Sequence, residues 1–162
     1  MNCFKIIYTP IFLIFTFLFS IQSVKAQKIN TDSLLSVILQ DMKNNPPHYE
    51  LNVQRGLLGK KLAPDYLDYY LLLGRNHELL QHKDSARYYY NYVIEKNPKY
   101  EDAFTYLINL ELIEKNYIEG AAITNKAIEM YPDNRNFRLK RIAFYSSQND
   151  TKNEEKYLKS IK

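Results

Sequence analysis

From residue 32 onward, apolar positions recur at helical spacing. In 84–97, Ala86, Tyr90, Val93 and Ile94 fall at i, i+4, i+7 and i+8, one stripe of an α-helix. In 67–80, Tyr70, Leu73 and His77 line one face, widened by Leu72, Leu79 and Leu80. Short polar breaks separate such stripes. The pattern predicts eight helices, over about 32–44, 49–62, 66–81, 84–97, 101–114, 117–130, 135–148 and 151–161. Connections this short make consecutive helices antiparallel neighbours. One pair cannot bury its stripe alone, whereas three or more stacked pairs build a continuous core. Gly74 and Ala86 suit a close helix crossing, and a larger side chain there should force the pair apart.

Proline punctuates the pattern at a fixed interval. Pro64, Pro98 and Pro132 are separated by 98 − 64 = 34 and 132 − 98 = 34 residues. They close the phrases Leu62-Ala63-Pro64-Asp65-Tyr66, Lys96-Asn97-Pro98-Lys99-Tyr100 and Met130-Tyr131-Pro132-Asp133-Asn134. Proline lacks the N–H that continues a helix and turns its predecessor out of helical geometry.

This period resembles the tetratricopeptide-repeat (TPR) family, whose units carry a large residue, Leu-Gly, Tyr, then Ala, Phe and Pro at set spacings. In 67–100 these slots hold Tyr70, Leu73-Gly74, His77, Ala86, Tyr90 and Pro98. In 101–134 they hold Phe104, Leu107-Ile108, Glu111, Gly120, Thr124 and Pro132. The outer units depart further. In 33–66 Leu39 and Pro64 are kept, but Asn52 and Gly56 stand in the Ala and Phe slots. In 135–162 Tyr145 and Leu158 are kept, but Arg138 and Arg141 replace the large residue and Leu. Terminal units lack a neighbour on one side and tend to be atypical; the two arginines imply a last unit loosely packed or shifted in register. The resemblance implies an all-α solenoid of about four helix pairs in a right-handed superhelix, covering 27–162.

Residues 1–26 read as a signal peptide, with Lys5, the apolar run Ile11–Phe19 (IFLIFTFLF) and Val24-Lys25-Ala26 before the cleavage point. The alternative is an uncleaved anchor, for which the run is short. Cys3, the sole cysteine, lies inside this segment, so a processed chain has no disulfide and no thiolate metal ligand. Cleavage removes Lys5 and Lys25 and no acid, taking the formal charge from +4 to 4 − 2 = +2. Neither value demands nucleic acid or a membrane surface as partner. The expected location is the periplasm, in some association with the outer membrane, with no span left after cleavage.

The remaining composition argues against chemistry. Only 4 glycines are present, against phosphate-cradling loops and turn-rich β folds. His77 fills a packing slot, His48 lies in the Pro46-Pro47 turn, and His77 and His82, five apart, stand about 140° apart on a helix. No metal or acid–base site is therefore expected. The acids read as exposed charge along the helices. Asn149-Asp150-Thr151 matches a glycosylation acceptor, a pattern common by chance. Arg135, Arg138, Lys140 and Arg141 read as a solvated basic face. Among the 15 tyrosines, Tyr90 should point to the core and Tyr89 should cover the neighbouring pair. Tyr88 and Tyr92, one turn apart, share a half-exposed face.

The expected function is a non-catalytic protein-interaction scaffold of the cell envelope, without cofactor, metal or nucleic acid. Its partner would be a protein or peptide. By the resemblance, positions 2, 5, 9 and 12 of each unit face the concave groove: Asp68, Leu71, Arg75 and Glu78, then Asp102, Thr105, Asn109 and Leu112. Asp41, Leu139 and Ala143 come from the neighbouring units. Arg75→Glu is expected to spare folding and weaken partner binding. Phrases such as Asn97-Pro-Lys-Tyr-Glu-Asp-Ala103 are similar to the periplasmic TPR segment that precedes an outer-membrane β-barrel in Bacteroidota-like proteins. No barrel is expected within this chain. The alternative functions are an envelope polysaccharide-binding module built on Tyr88 and Tyr92, or a truncated TPR part of an outer-membrane export protein.

Overall fold

The computed structural model describes residues 31–44 and 46–160. The expected signal peptide and its cleavage point lie outside the described residues. Those described form helices and turns and no strand. In chain order the helices are α1 (31–41), α2 (Tyr49–Leu62), α3 (Leu67–Leu79), α4 (Lys83–Lys96), α5 (Glu101–Ile113), α6 (Tyr117–Met130), α7 (Arg135–Ser147) and α8 (Thr151–Ser160). The repeat is visible in the backbone. The starts of α3, α5 and α7 differ by 101 − 67 = 34 and 135 − 101 = 34, and those of α2, α4, α6 and α8 step likewise from 49 to 83, 117 and 151.

Two kinds of turn alternate. After α2, α4 and α6 a proline lies within two residues of the helix end. After α3, α5 and α7 the stop is a left-handed residue, Gln81 (φ 64°), Lys115 (φ 60°) or Asn149 (φ 54°), again 34 apart. At each, the next N–H reaches back five residues: His82 N to His77 O (2.8 Å), Asn116 N to Glu111 O (2.9 Å) and Asp150 N to Tyr145 O (3.0 Å). This is a Schellman closure, satisfying carbonyls the helix end leaves bare. It ends α3 at Leu79, two residues short of the expected 81.

The end of α1 departs from the period. α1 stops at 41, where 44 was expected, because the Asp41 carboxylate gathers the turn into α2 around itself. Its oxygens accept from His48 N (2.9 Å), Asn52 Nδ2 (2.8 Å) and Asn44 Nδ2 (3.1 Å), and pair with His48 Nδ1 (2.9 Å). These bonds, led by the His48 side chain, hold Asp41 well below the ordinary carboxylate range.

Each helix packs on the next along the chain from α2 to α8. Two adjoining cores result. The first includes Tyr70, Leu73, Ala86, Tyr90, Val93, Ala103, Leu107 and Leu110; the second joins Phe104, Ile108, Ala121, Ala127, Phe137 and Phe144. Ile94 and Ile123 pack against both and make the interior continuous. Small residues sit where rings cross: a Cβ on Gly59 would meet the Tyr69 ring, on Gly74 the Tyr90 ring, and on Gly120 the Phe144 ring. The last unit keeps its register. Arg141, only 9% exposed, enters the leucine slot by lying over the Tyr145 ring, 3.9 Å from its centroid, and donating to Tyr145 Oη at 2.5 Å. Its Nε and Nη1 are buried without a hydrogen-bond partner among the described residues, so the aromatic face offsets only part of the guanidinium's lost hydration.

The tyrosines give the stack an alkaline limit. Burial is the leading cause that raises the phenols of Tyr66, Tyr69, Tyr89, Tyr90 and Tyr100 above 10.0, and it pushes Tyr70 up to about 12. A folded-state pKa above the unfolded value gives stability that is complete below pH 10 and lost as pH rises through 12. Urea melts should therefore be pH-independent from 8 to 9.5 and collapse between about 10 and 12. Tyrosinate absorbance should appear together with loss of the helical circular dichroism; tyrosinate forming while helicity stays intact would contradict this packing.

Candidate functional site

First helices touch one another across units, α3 on α5 and α5 on α7. In a curved stack the layer whose members meet is the inner one, so these helices line the concave side. A cleft of about 250 Å³ opens between α5 and α7. It is lined by Glu101, Thr105, Ile108, Asn109, Asn134, Asn136, Phe137 and Lys140. Ile108 and Phe137, both buried in the second core, close its floor, and the rest offers amides, a hydroxyl, an ammonium and a carboxylate. The rim is positioned by Asn134, which caps α7 by accepting from Asn136 N (2.9 Å) and Phe137 N (3.3 Å) and donates to Glu101 Oε1 at 2.5 Å.

The expected groove residues divide. Thr105 and Asn109 line the cleft, and Asp102 is exposed at the start of α5. Leu112 is half-buried against the second core, Leu139 is half-exposed, and Ala143 is half-buried. Asp68 accepts from Tyr100 Oη, and Asp41 is the buried α1–α2 staple. Leu71 is committed to the first core. Glu78 is buried and accepts from Tyr90 Oη at 2.6 Å, while Arg75 pairs with it at 2.9 Å and lies over Tyr106. Arg75→Glu would set a second carboxylate beside that buried one, so it cannot leave folding intact. The reading of acids as exposed charge is likewise corrected for Asp41, Glu78 and Glu111. Glu111, 1% exposed, holds Arg87 through two bonds (2.6 and 3.1 Å) and accepts from Asn116 Nδ2 at 2.6 Å.

Tyr90 is fully buried, and Tyr89 stacks on His77 of its own pair and meets the preceding pair through Lys60 of α2, whose ammonium lies 5.5 Å from its ring centroid. Tyr92 lies half-buried, face to face with Tyr70 (centroids 4.3 Å apart, 12° between planes). Tyr88, 60% exposed, and Tyr92 both border an open cleft of about 390 Å³ along α4, with Asp84, Arg87, Asn91 and Glu95. Both rings thus border the cleft, Tyr88 the more open and Tyr92 with one face taken by Tyr70.

The histidine geometry differs from expectation. His77 and His82 do meet, Nδ1 to Nδ1 at 3.4 Å. Helical rotation does not apply between them, because α3 ends at Leu79 and the left-handed Gln81 swings the chain back. Burial, then repulsion from His82, holds His77 below its ordinary range. Nothing in the sequence marks the left-handed turn, since glutamine occupies it.

No protein-family model matches the chain, and no curated protein matches it. Solved structures do. Two crystal structures of MamA superpose with TM-scores of 0.69 and 0.70 at 18% identity, covering 84% and 85% of this chain and 73% and 80% of theirs. The Yersinia enterocolitica type III secretion chaperone SycD, in complex with a peptide of the translocator YopD, superposes with a TM-score of 0.61 at 16% identity, over 76% of this chain and 93% of that one. These neighbours are tetratricopeptide-type helical repeats. The fold is a tetratricopeptide repeat. A Thermobaculum terrenum O-GlcNAc transferase also matches, with a TM-score of 0.62 at 16% identity, but this tetratricopeptide stack spans only 22% of that chain.

Proposed function

We propose that this chain is a non-catalytic scaffold that holds a short segment of a protein partner in its concave groove. The observation that carries the reading is the α5–α7 cleft, which gathers amide donors and acceptors, a hydroxyl, an ammonium and a carboxylate above the buried Ile108–Phe137 floor. An extended segment can use that combination: amides satisfy its backbone, and the ammonium and carboxylate read its charged side chains. SycD, with the same fold, is seen with a bound peptide. The export pattern of residues 1–26 supports placing the scaffold in the envelope, facing the periplasm. The test is a photo-crosslinking residue at Asn109 or Lys140 in living cells. It should trap a protein, whereas the same residue at Tyr88 should not. Retention on envelope glycan, lost with Tyr88→Ala and without any protein adduct, would favour the polysaccharide reading instead.

Lys140→Glu and Asn109→Ala should each weaken capture of that partner by about tenfold, equivalent to about 1.4 kcal/mol. Both side chains are half-buried at the cleft rather than in the core. Their melting curves should shift by no more than about 0.5 kcal/mol. Unchanged capture by both variants would exclude this cleft as the docking site.

A further inference from the structure

The turn between α3 and α4 carries a feature the scaffold reading does not use. His77 Nδ1 and His82 Nδ1 converge to 3.4 Å. Two nitrogens bound to one tetrahedral ion at about 2.0–2.1 Å lie about 3.3–3.4 Å from each other. We propose that His77 and His82 form a two-imidazole site for a divalent transition-metal ion of the zinc class.

The backbone sets this separation. Gln81 is left-handed, and His82 N donates to His77 O at 2.8 Å, so positions five apart are clamped together. The next unit shows the same geometry at work: its equivalent pair, Glu111 and Asn116, brings the two side chains into a hydrogen bond of 2.6 Å. In the third unit Asp150 N closes on Tyr145 O in the same way. Only in the first of these turns are both residues histidines. The His77 ring is held by face-to-face stacking on Tyr89, with centroids 5.6 Å apart and 12° between planes. His82 is exposed, which gives an ion access from solvent. The nearest cation along the chain, Lys83, has its ammonium paired with Glu114 at 3.5 Å. Among the described residues no three His, Cys, Asp or Glu side chains cluster, so two imidazoles from the protein and water make up the shell. Imidazole suits zinc, copper and nickel, with copper held tightest. A bound ion would tie the end of α3 to the start of α4.

The test is titration of the protein, purified without a polyhistidine tag, with zinc, and with copper(II) followed by electron paramagnetic resonance. The parent should take up one equivalent, melt at a higher temperature with zinc, and show coupling to two imidazole nitrogens with copper. His82→Ala removes the chelate and should weaken binding about a hundredfold; its metal-free melting should match the parent, since the side chain is exposed. His48→Ala should bind as the parent does. Absence of saturable binding in the parent overturns the proposal. So does equal affinity in His82→Ala, or loss of the ion in His48→Ala.

Discussion

Gly74→Leu should cost about 4 kcal/mol, lowering the melting temperature by roughly 15 °C. The first added carbon already has no room: it would lie 2.5 Å from Tyr90 Cε1 and 2.7 Å from Cδ1. The Tyr90 ring cannot swing aside, because it is fully buried and its hydroxyl is tied to Glu78 Oε2 at 2.6 Å. The remaining carbons of leucine must therefore push α4 off α3. Such a loss is a large part of the 5–15 kcal/mol that a domain of this size commonly has. Gly74→Ala is the sharper control. Alanine gains up to about 1 kcal/mol in a helix interior, yet here it should still destabilise. Circular dichroism melts of both variants decide the matter. A leucine variant as stable as the parent would mean that α3 and α4 do not cross here.

Arg87→Met should cost about 3 kcal/mol, because it leaves a buried carboxylate with one donor instead of three. Glu111 is 1% exposed, and two of its partners are the Nε and Nη2 of Arg87. The guanidinium keeps some exposure, so the lower end of the range for a broken buried pair applies. The fully exposed partner of the same arginine, Asp84, matters far less, and Asp84→Ala should stay within about 0.5 kcal/mol. Combining Arg87→Met with Glu111→Leu removes both charges and should recover most of the loss. Urea melts of the parent, Arg87→Met, Glu111→Leu and the double variant give the coupling energy. Additive losses in the double variant would show that the pair does not act as a unit.

Helix positions were legible because one signal repeated: proline after every second helix and an apolar stripe of fixed phase. The ends of α3, α5 and α7 were less legible. Gln81 and Lys115 adopt a left-handed conformation usually marked by glycine, and a five-residue chain reversal brings together what helical rotation would separate. That is how the His77–His82 contact escaped notice. Buried acids escaped for another reason. A glutamate in an aromatic slot looks solvated until the arginine 111 − 87 = 24 residues earlier is set against it. Of the groove positions implied by the resemblance, Thr105 and Asn109 line the α5–α7 cleft. That pattern does not reach Asn134 and Asn136, which belong to the cap of α7, and it includes Leu71 and Glu78, which packing draws inward.

The contact of α3 with α5 and of α5 with α7 also fixes a length. Packed helix axes lie about 8–10 Å apart, so three inner helices present roughly 16–20 Å across. An extended chain advances about 3.3–3.6 Å per residue. A ligand crossing these three helices is therefore gripped over some five or six of its residues, and each further hairpin would lengthen the readable word by two or three letters.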